Sequence, residues 1–412
     1  MAAKPLIYLD CNATTPVDPR VLEAMLPYFT VHFGNAASRA HAFGKKAADA
    51  VALARMFVAG LIGGAEDEIV FTSGATESNN LALKGAAAAC RGKGDHIITG
   101  LTEHRSVLDV CAHLEAEGVR ATRLAPDRHG RIAPGQVAEA ITDRTVIISL
   151  MAANNETGTL HPIAEIGRLS RSRGILFHTD ATQAVGRIPV DVDAMGVDLL
   201  SLSAHKMHGP KGIGALYVRR RNPHGRIEPQ MDGGGHERGL RSGTLNVPGV
   251  VGLGAAAEIA RRAMPNEALR IAALRDRLLE NLARELALLV VNGHPTERLP
   301  NTLNVSFLGA DAEALLARTP ELAASTGSAC SSAILEPSHV LRAMGMSDDL
   351  ARAAVRFSLG RFNTEDEVDR AAAVVGRAVR AMRESNPTYE RAKGFLSAAA
   401  CNCEPGTCAP GS

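Results

Sequence analysis

The chain has no excess of charge of either sign: 45 Lys and Arg stand against 44 Asp and Glu, leaving a net charge of +1. No global field therefore draws it to nucleic acid or to an anionic membrane, and neither is expected as a partner. No apolar run of about 18 residues occurs, the length a membrane-spanning helix requires. The opening MAAKPLIYLD has no basic stretch leading into an apolar core, so no secretory signal is read there and a cytoplasmic location is expected. A disulfide framework is also absent. The seven cysteines, an odd number, lie at positions 11, 90, 111, 330, 401, 403 and 408, and the first four are far apart. In a reducing compartment such thiols stay free, and a conspicuous one serves catalysis or metal binding rather than cross-linking. Cys90 and Cys111, inside Ala-rich helical segments, read as core filler. No internal repeat or low-complexity array is visible.

What is present is a profile of 46% hydrophobic and 22% charged residues over 412 positions, enough for two cored domains. Short apolar runs alternate with helical patterns: EIVFT (68–72), HIITG (96–100), TVIISLM (145–151), GILFHTD (174–180), DLLSLS (198–203) and GALYV (214–218). This alternation predicts an α/β architecture, a mostly parallel sheet wrapped by helices. A long amphipathic helix over about 263–290 carries the chain into a smaller α+β domain holding TLNVSFL (302–308) and AVRFSLG (354–360). The expected division is an N-terminal segment 1–15 packing with the small domain, a large domain 16–262, a small domain 263–385 with a mobile loop 325–336, and a flexible tail 386–412.

Polar clusters follow the strand candidates. EIVFT leads into Ser73-Gly74-Ala75-Thr76, HIITG into Thr102-Glu103-His104, TVIISLM into Asn154-Asn155-Glu156-Thr157, GILFHT into Asp180-Ala181-Thr182-Gln183, and DLLSLS into Ala204-His205-Lys206. Singly, each is an ordinary cap or turn. Together they collect at the carboxyl edge of one sheet, where open parallel sheets bind ligands. Ser73 to Thr76 offers hydroxyls and N–H groups at a helix start, a site for phosphate to which Ser203 and His205 add donors. A lysine ending an apolar strand, Lys206, is the type that forms Schiff bases. Asp180 on the neighbouring strand suits a pyridinium nitrogen. The combination specifies pyridoxal 5'-phosphate.

The motifs SGATESNN, TEHRSVLD, ANNETGTL, HTDATQAVG, SAHKMHGPKGIGALYV, GGGHERGLRSGTLNV, STGSACSSA and RFSLGRF resemble the NifS/IscS-type cysteine desulfurases over roughly residues 5–385. The resemblance implies a fold-type I pyridoxal phosphate homodimer that takes sulfur from L-cysteine, releases L-alanine and leaves a persulfide on Cys330. It implies that Lys206 holds the cofactor, Asp180 pairs with its ring nitrogen and His104 stacks on the ring. Ala75, Thr76, Ser203 and His205 would hold the phosphate, with Thr244 reaching across from the other subunit. Asn155 and Gln183 would bind near the ring oxygen, and Arg356, with Asn155, the substrate carboxylate. The implied acceptors are sulfur-receiving proteins such as an iron–sulfur scaffold, with Cys330 a candidate ligand to a transient [2Fe-2S] cluster.

The residue types agree with that chemistry. A guanidinium fork at Arg356 matches a carboxylate. A nucleophilic thiol that must meet both substrate and acceptor needs a small, flexible loop, and Ser325-Thr326-Gly327-Ser328-Ala329-Cys330-Ser331-Ser332 is one. The pattern departs from the family at Cys11 and at GNAAS (34–38); Cys11 reads as a tolerated loop substitution. Cys401, Cys403 and Cys408 have no family counterpart and offer three soft ligands, one fewer than a structural zinc site takes. A selenocysteine lyase, a transaminase needing no thiol, and a non-catalytic sulfur or metal carrier are the alternatives.

Overall fold

The computed structural model describes residues 6–220, 227–326 and 337–384, together with residues 386 and 389. The described residues form twelve strands: β1 (Ile7–Tyr8), β2 (Ile69–Thr72), β3 (His96–Gly100), β4 (Arg120–Leu124), β5 (Thr145–Ser149), β6 (Leu176–Asp180), β7 (Leu199–Ser203), β8 (Gly214–Val218), β9 (Leu289–Asn292), β10 (Thr302–Phe307), β11 (Leu322–Ala323) and β12 (Ala354–Ser358). Seven of them form one sheet in the order β2-β8-β7-β6-β5-β3-β4. Within it, β8 runs against its neighbours β2 and β7. Two reversals restore direction, so β2 points the same way as β3 to β7. All the polar clusters therefore emerge at one edge.

Each apolar run read from the sequence forms a strand. Central strands are covered on both faces and so read as continuous Val, Ile and Leu, as in the fully buried TVIIS of β5. The sequence reading missed β4, Arg120-Ala121-Thr122-Arg123-Leu124. It is an edge strand beside β3, partly exposed along most of its length, so it carries no apolar run.

The linking helix departs from its expected bounds: it starts at Val247, not near 263, and continues to Glu285 through an internal Pro265. Asn246 Oδ1 caps it by accepting the Gly249 N–H at 3.1 Å. Its first half is rich in small residues because it lies against the helix Ala42–Ile62; a Cβ at Gly254 would come within 2.5 Å of Ala54 Cα. Its second half buries Ile271, Leu274, Leu278 and Leu282 in another core. That second core lies on the antiparallel sheet β12-β10-β9, where Leu303, Val305, Phe307 and Phe357 meet Val368, Val375 and Val379 of the helix Glu365–Glu384.

The N-terminal segment forms a separate two-stranded sheet with β11 and touches the second sheet through an isolated bridge. β1 pairs in parallel with β11, and Asp10 bridges to Ser358 at the end of β12. Among the described residues, no helix is long and apolar enough to cross a membrane.

Candidate active site

A cavity of about 580 Å³ opens at the carboxyl edge of the large sheet. Among the residues lining it are Ala75, Thr76, His104, Asn155, Asp180, Gln183, Ser203, His205, Lys206 and Arg356. Ten residues singled out from sequence thus meet in one place.

Lys206 sits in the short helical turn that follows β7. Its Nζ donates to the main-chain oxygens of Asn12 at 2.5 Å and Ala13 at 2.7 Å, so the N-terminal segment meets the ammonium. His205 Nδ1 contacts Thr14 Oγ1 at 3.1 Å. Burial first, then the charges of Lys206, Lys211 and Arg187, push its pKa down to about 4, leaving a neutral ring at physiological pH. Across the cavity mouth the helix Ala75–Ala89 begins without a side-chain cap on its Gly74 N-cap, whose φ is 155°. Close packing requires glycine nearby: a Cβ on Gly214 would fall 2.7 Å from Gly74 Cα. The helix therefore presents its first N–H groups beside Ser203 and His205, a donor set suited to a phosphate.

On the cavity floor a chain of hydrogen bonds joins the acid to the imidazole. Asp180 Oδ1 accepts the Thr182 N–H at 3.0 Å, and Oδ2 accepts Asn79 Nδ2 at 2.8 Å. Asn79 Nδ2 also donates to Ser106 Oγ at 2.8 Å, and that hydroxyl lies 2.8 Å from His104 Nδ1. The Ser106 N–H donates to the same Nδ1 at 3.1 Å, so a neutral His104 carries its proton on Nε2. Burial lowers the pKa of His104; Asp180 opposes this, and Lys206 and His339 reinforce it.

Beneath the floor, His178 contacts Ser149 Oγ at 2.8 Å and Ser201 Oγ at 3.0 Å across three strands. Burial, against the pull of Asp180, takes its pKa down to about 4. The neutral ring adds no cation to compete for Asp180.

The far wall comes from the second sheet. Arg356 on β12 is 4% exposed; it donates to Asp10 Oδ1 at 2.7 Å and to the Asn155 main-chain oxygen at 3.0 Å. Its Nε is buried without a partner among the described residues, as is Thr182 Oγ1, polar groups of the kind that a bound ligand satisfies. Its main chain pairs with Ser325 in both directions, at 2.7 and 3.2 Å.

Three contributors escaped the sequence reading. Asn12 ties the halves together: its Nδ2 donates to Thr302 Oγ1 and the Asn155 oxygen, and its Oδ1 accepts from Arg187 and Asn301. Its main-chain oxygen also accepts from Gln183 at 3.1 Å. Arg187 further donates to Gln183 and to the oxygens of Cys11 and Lys206, while enclosure pushes its pKa down to about 10. Asn79 is the third, and it lay inside the quoted SGATESNN motif. Only its neighbour across the sheet shows that its amide faces Asp180.

Other expected residues lie elsewhere. Thr244 is exposed and does not line this cavity. Cys330, the greater part of the loop 325–336, and Cys401, Cys403 and Cys408 lie outside the described residues. Cys11 lines a separate cavity of about 30 Å³ behind Lys206, and a Cβ on Gly360 would fall 2.6 Å from its sulfur. Burial pushes the Cys11 and Cys111 thiols up to about 12 and raises Cys90 as well, so these three keep their protons at neutral pH.

The residues present fit pyridoxal phosphate: an uncapped helix start for the anion, a lysine within the same cavity, an aspartate held by two N–H donors, and a neutral imidazole. Comparison with known proteins agrees. Residues 7–371 match the family model for class-V aminotransferases. The chain is 59% identical to a cysteine desulfurase IscS of Anaeromyxobacter dehalogenans, over 94% of this chain and 96% of that protein. It is similar to a solved NifS-like protein, with a TM-score of 0.85 and 37% identity over 91% of this chain and 99% of that one. A structure of SspA in complex with cysteine superposes with a TM-score of 0.77 at 41% identity, covering 87% of this chain and 99% of that one.

Proposed function

The chain belongs to the class-V aminotransferase family and, within it, to the cysteine desulfurases, and we propose that it moves sulfur from L-cysteine to Cys330 and then to acceptor proteins. The observation that carries this reading is the meeting of Lys206, Asp180, His104 and Arg356 in one cavity. Lys206 would hold the cofactor covalently, Asp180 its ring nitrogen and His104 its ring face. Ala75, Thr76, Ser203 and His205 would hold its phosphate, and Asn155 and Gln183 would bind near its ring oxygen. When bound, pyridoxal phosphate supplies an electron sink for bonds broken at the amino acid's Cα and Cβ.

The protein's own residues do the rest. Arg356, braced by Asp10, offers a planar fork to the substrate carboxylate, beside Asn155. Lys206 Nζ, once released by the incoming amine, carries the Cα proton. His104, acceptor-bonded at Nδ1, presents Nε2–H to the reacting side of the cavity. The Cys330 thiolate attacks the substrate sulfur. An S–S bond forms, the Cβ–S bond breaks with its electron pair left on carbon, and protonation there gives L-alanine. The sum is L-cysteine plus a thiol giving L-alanine plus a persulfide, with no outside oxidant.

Pairing of the two subunits in a homodimer is part of this reading. It is supported by the exposed Phe29, Val31, Phe33 and Phe43 near the N terminus, large apolar side chains that a partner would cover. Exposed Thr244 is free to serve the other subunit's phosphate. Delivery to an iron–sulfur scaffold, with Cys330 as a transient [2Fe-2S] ligand, fits a thiol set among small residues in the sequence. The free thiols of Cys11, Cys90 and Cys111 fit a cytoplasmic location.

The test is to incubate the purified protein with L-cysteine, quantify alanine and map the persulfide by mass spectrometry. Sulfur on Cys330 is expected, with a yellow absorbance near about 420 nm from the lysine-bound cofactor. Alanine without sulfur on Cys330 would overturn the mechanism. Cys330→Ala abolishes desulfuration under this reading and would leave a thiol-independent transaminase untouched.

A further inference from the structure

Glu103 lies beside His104, yet the chemistry above makes no use of its carboxyl. That carboxyl is wholly buried. Oε1 accepts the Met151 N–H at 2.8 Å, and Oε2 has no partner among the described residues. Its surroundings are apolar. A Cβ on Gly100 of β3 would fall 3.3 Å from Oε1, 2.8 Å from Ile132 Cδ1 and 3.4 Å from Leu150 Cδ2. A side chain at Gly100 would crowd Ile132 first and the carboxyl next.

No cation compensates it among the described residues. The titratable groups that face it are Asp180 on β6, the Cys111 thiol on the helix Arg105–Ala116, its neighbour His104, and His339, whose Nε2 lies 3.2 Å from the Glu103 main-chain oxygen. An ionised carboxylate here would be fully buried, singly hydrogen-bonded and close to a like charge. A protonated one leaves only a neutral O–H without a partner, the smaller cost. Burial pushes its pKa well above the usual carboxylate range; the Met151 N–H opposes this and Asp180 adds to the rise.

The same three residues, 102–104, are held from the strand-end turn that follows β5. Asn154 Nδ2 donates to the Thr102 oxygen at 3.0 Å, and Met151 donates to the Glu103 side chain. One turn carries Asn155 and the other His104, so these bonds fix the spacing of two walls of the cavity.

We propose that Glu103 is a positioning residue that works as a neutral acid, tying the turn that carries His104 to the turn that carries Asn155 while adding no second negative charge beside Asp180. Only the final link, from wall spacing to cofactor, rests on the functional reading above.

Two variants test it on the full-length, cofactor-loaded protein. Glu103→Gln keeps an acceptor for Met151 and cannot ionise. In the wild type, the folded state keeps a proton that the unfolded chain releases above about pH 4.3, so wild-type stability falls as pH rises beyond that point. The variant lacks this loss. Its thermal midpoint relative to wild type, at one protein concentration, therefore climbs between pH 5.5 and 8.5, with kcat and KM within about twofold and the visible circular dichroism of the cofactor unchanged. A midpoint difference that stays flat or turns more negative with pH would show an ionised Glu103 and overturn the proposal. Glu103→Leu removes the acceptor; kcat/KM falls by about tenfold or more and the visible circular dichroism shifts, because the ring-facing His104 moves. Unchanged dichroism and kinetics in a folded Glu103→Leu protein would equally overturn it. A protein that bound no pyridoxal phosphate would sink the functional reading instead, and the midpoint series would still decide the charge of Glu103.

Discussion

The two walls of the cavity are built on different terms. The wall on the large sheet comes from strand ends: Asp180 closes β6, Lys206 follows β7 by three residues, and the helix Ala75–Ala89 opens straight after β2. Each group is delivered by an element that already has a core beneath it. The opposite wall is gathered from three distant places, with Arg356 on β12, Asp10 and Asn12 in the N-terminal segment and Asn155 after β5 joined by hydrogen bonds that span 143 to 346 positions of chain. The first wall is rigid because its strands are. The second is only as well placed as its polar ties.

That contrast sets the expected effects of substitution. Lys206→Ala removes the amine assigned to hold the cofactor, and turnover should fall by at least about a thousandfold, with the cofactor lost on dialysis and no visible absorbance remaining. Retention of more than a few per cent of turnover would break the assignment. Arg356→Lys keeps the charge and loses the fork. KM for L-cysteine should rise roughly 10- to 100-fold, with cofactor absorbance intact, since a charge-assisted pair contributes about 1.5–3 kcal/mol.

Asn12→Ala probes the ties alone. It strips Arg187, Asn301 and Thr302 of a shared partner and should cost about 1–3 kcal/mol in unfolding measurements. KM should rise before cofactor binding weakens; the reverse order would mean that both walls depend equally on Asn12. The effect smallest at neutral pH appears only in acid. His161 is buried, with its pKa driven down to about 4 chiefly by burial and then by Arg131. The folded ring stays neutral while the unfolded one takes a proton below about pH 6.5, so stability falls as pH drops from about 6.5 toward 4, by up to ~1.4 kcal/mol per pH unit from this ring. His161→Gln should flatten that slope in acid-unfolding curves while leaving neutral-pH turnover within about twofold.

The strand-end wall was almost wholly legible in the amino-acid sequence. β-strands buried on both faces must be apolar runs, so the polar residue after each run marks the sheet edge, and Asp180, Lys206, His205 and Thr76 stood out for that reason. β4 escaped because an edge strand is free to be polar. The linking helix extends well before its amphipathic stretch because Gly252 packs on Met25 and Pro210, Gly254 on Ala54 and Ala256 beside Gly209; such close approaches keep side chains small and erase the apolar stripe that marks a helix in sequence.

The chemistry is written in the order of residues: which ions, acids and thiols the chain owns, and which of them follow an apolar strand. That much is local, since strand periodicity and helix caps are properties of neighbouring residues. The tertiary structure alone decided the ties. Nothing near Asn12 indicates that it meets Arg187, Asn301 and Thr302, and nothing near Glu103 indicates that its carboxyl lies buried against Gly100. Hydrogen bonds between distant segments leave no periodicity in either segment, because each residue answers to a partner whose position only the closed fold supplies.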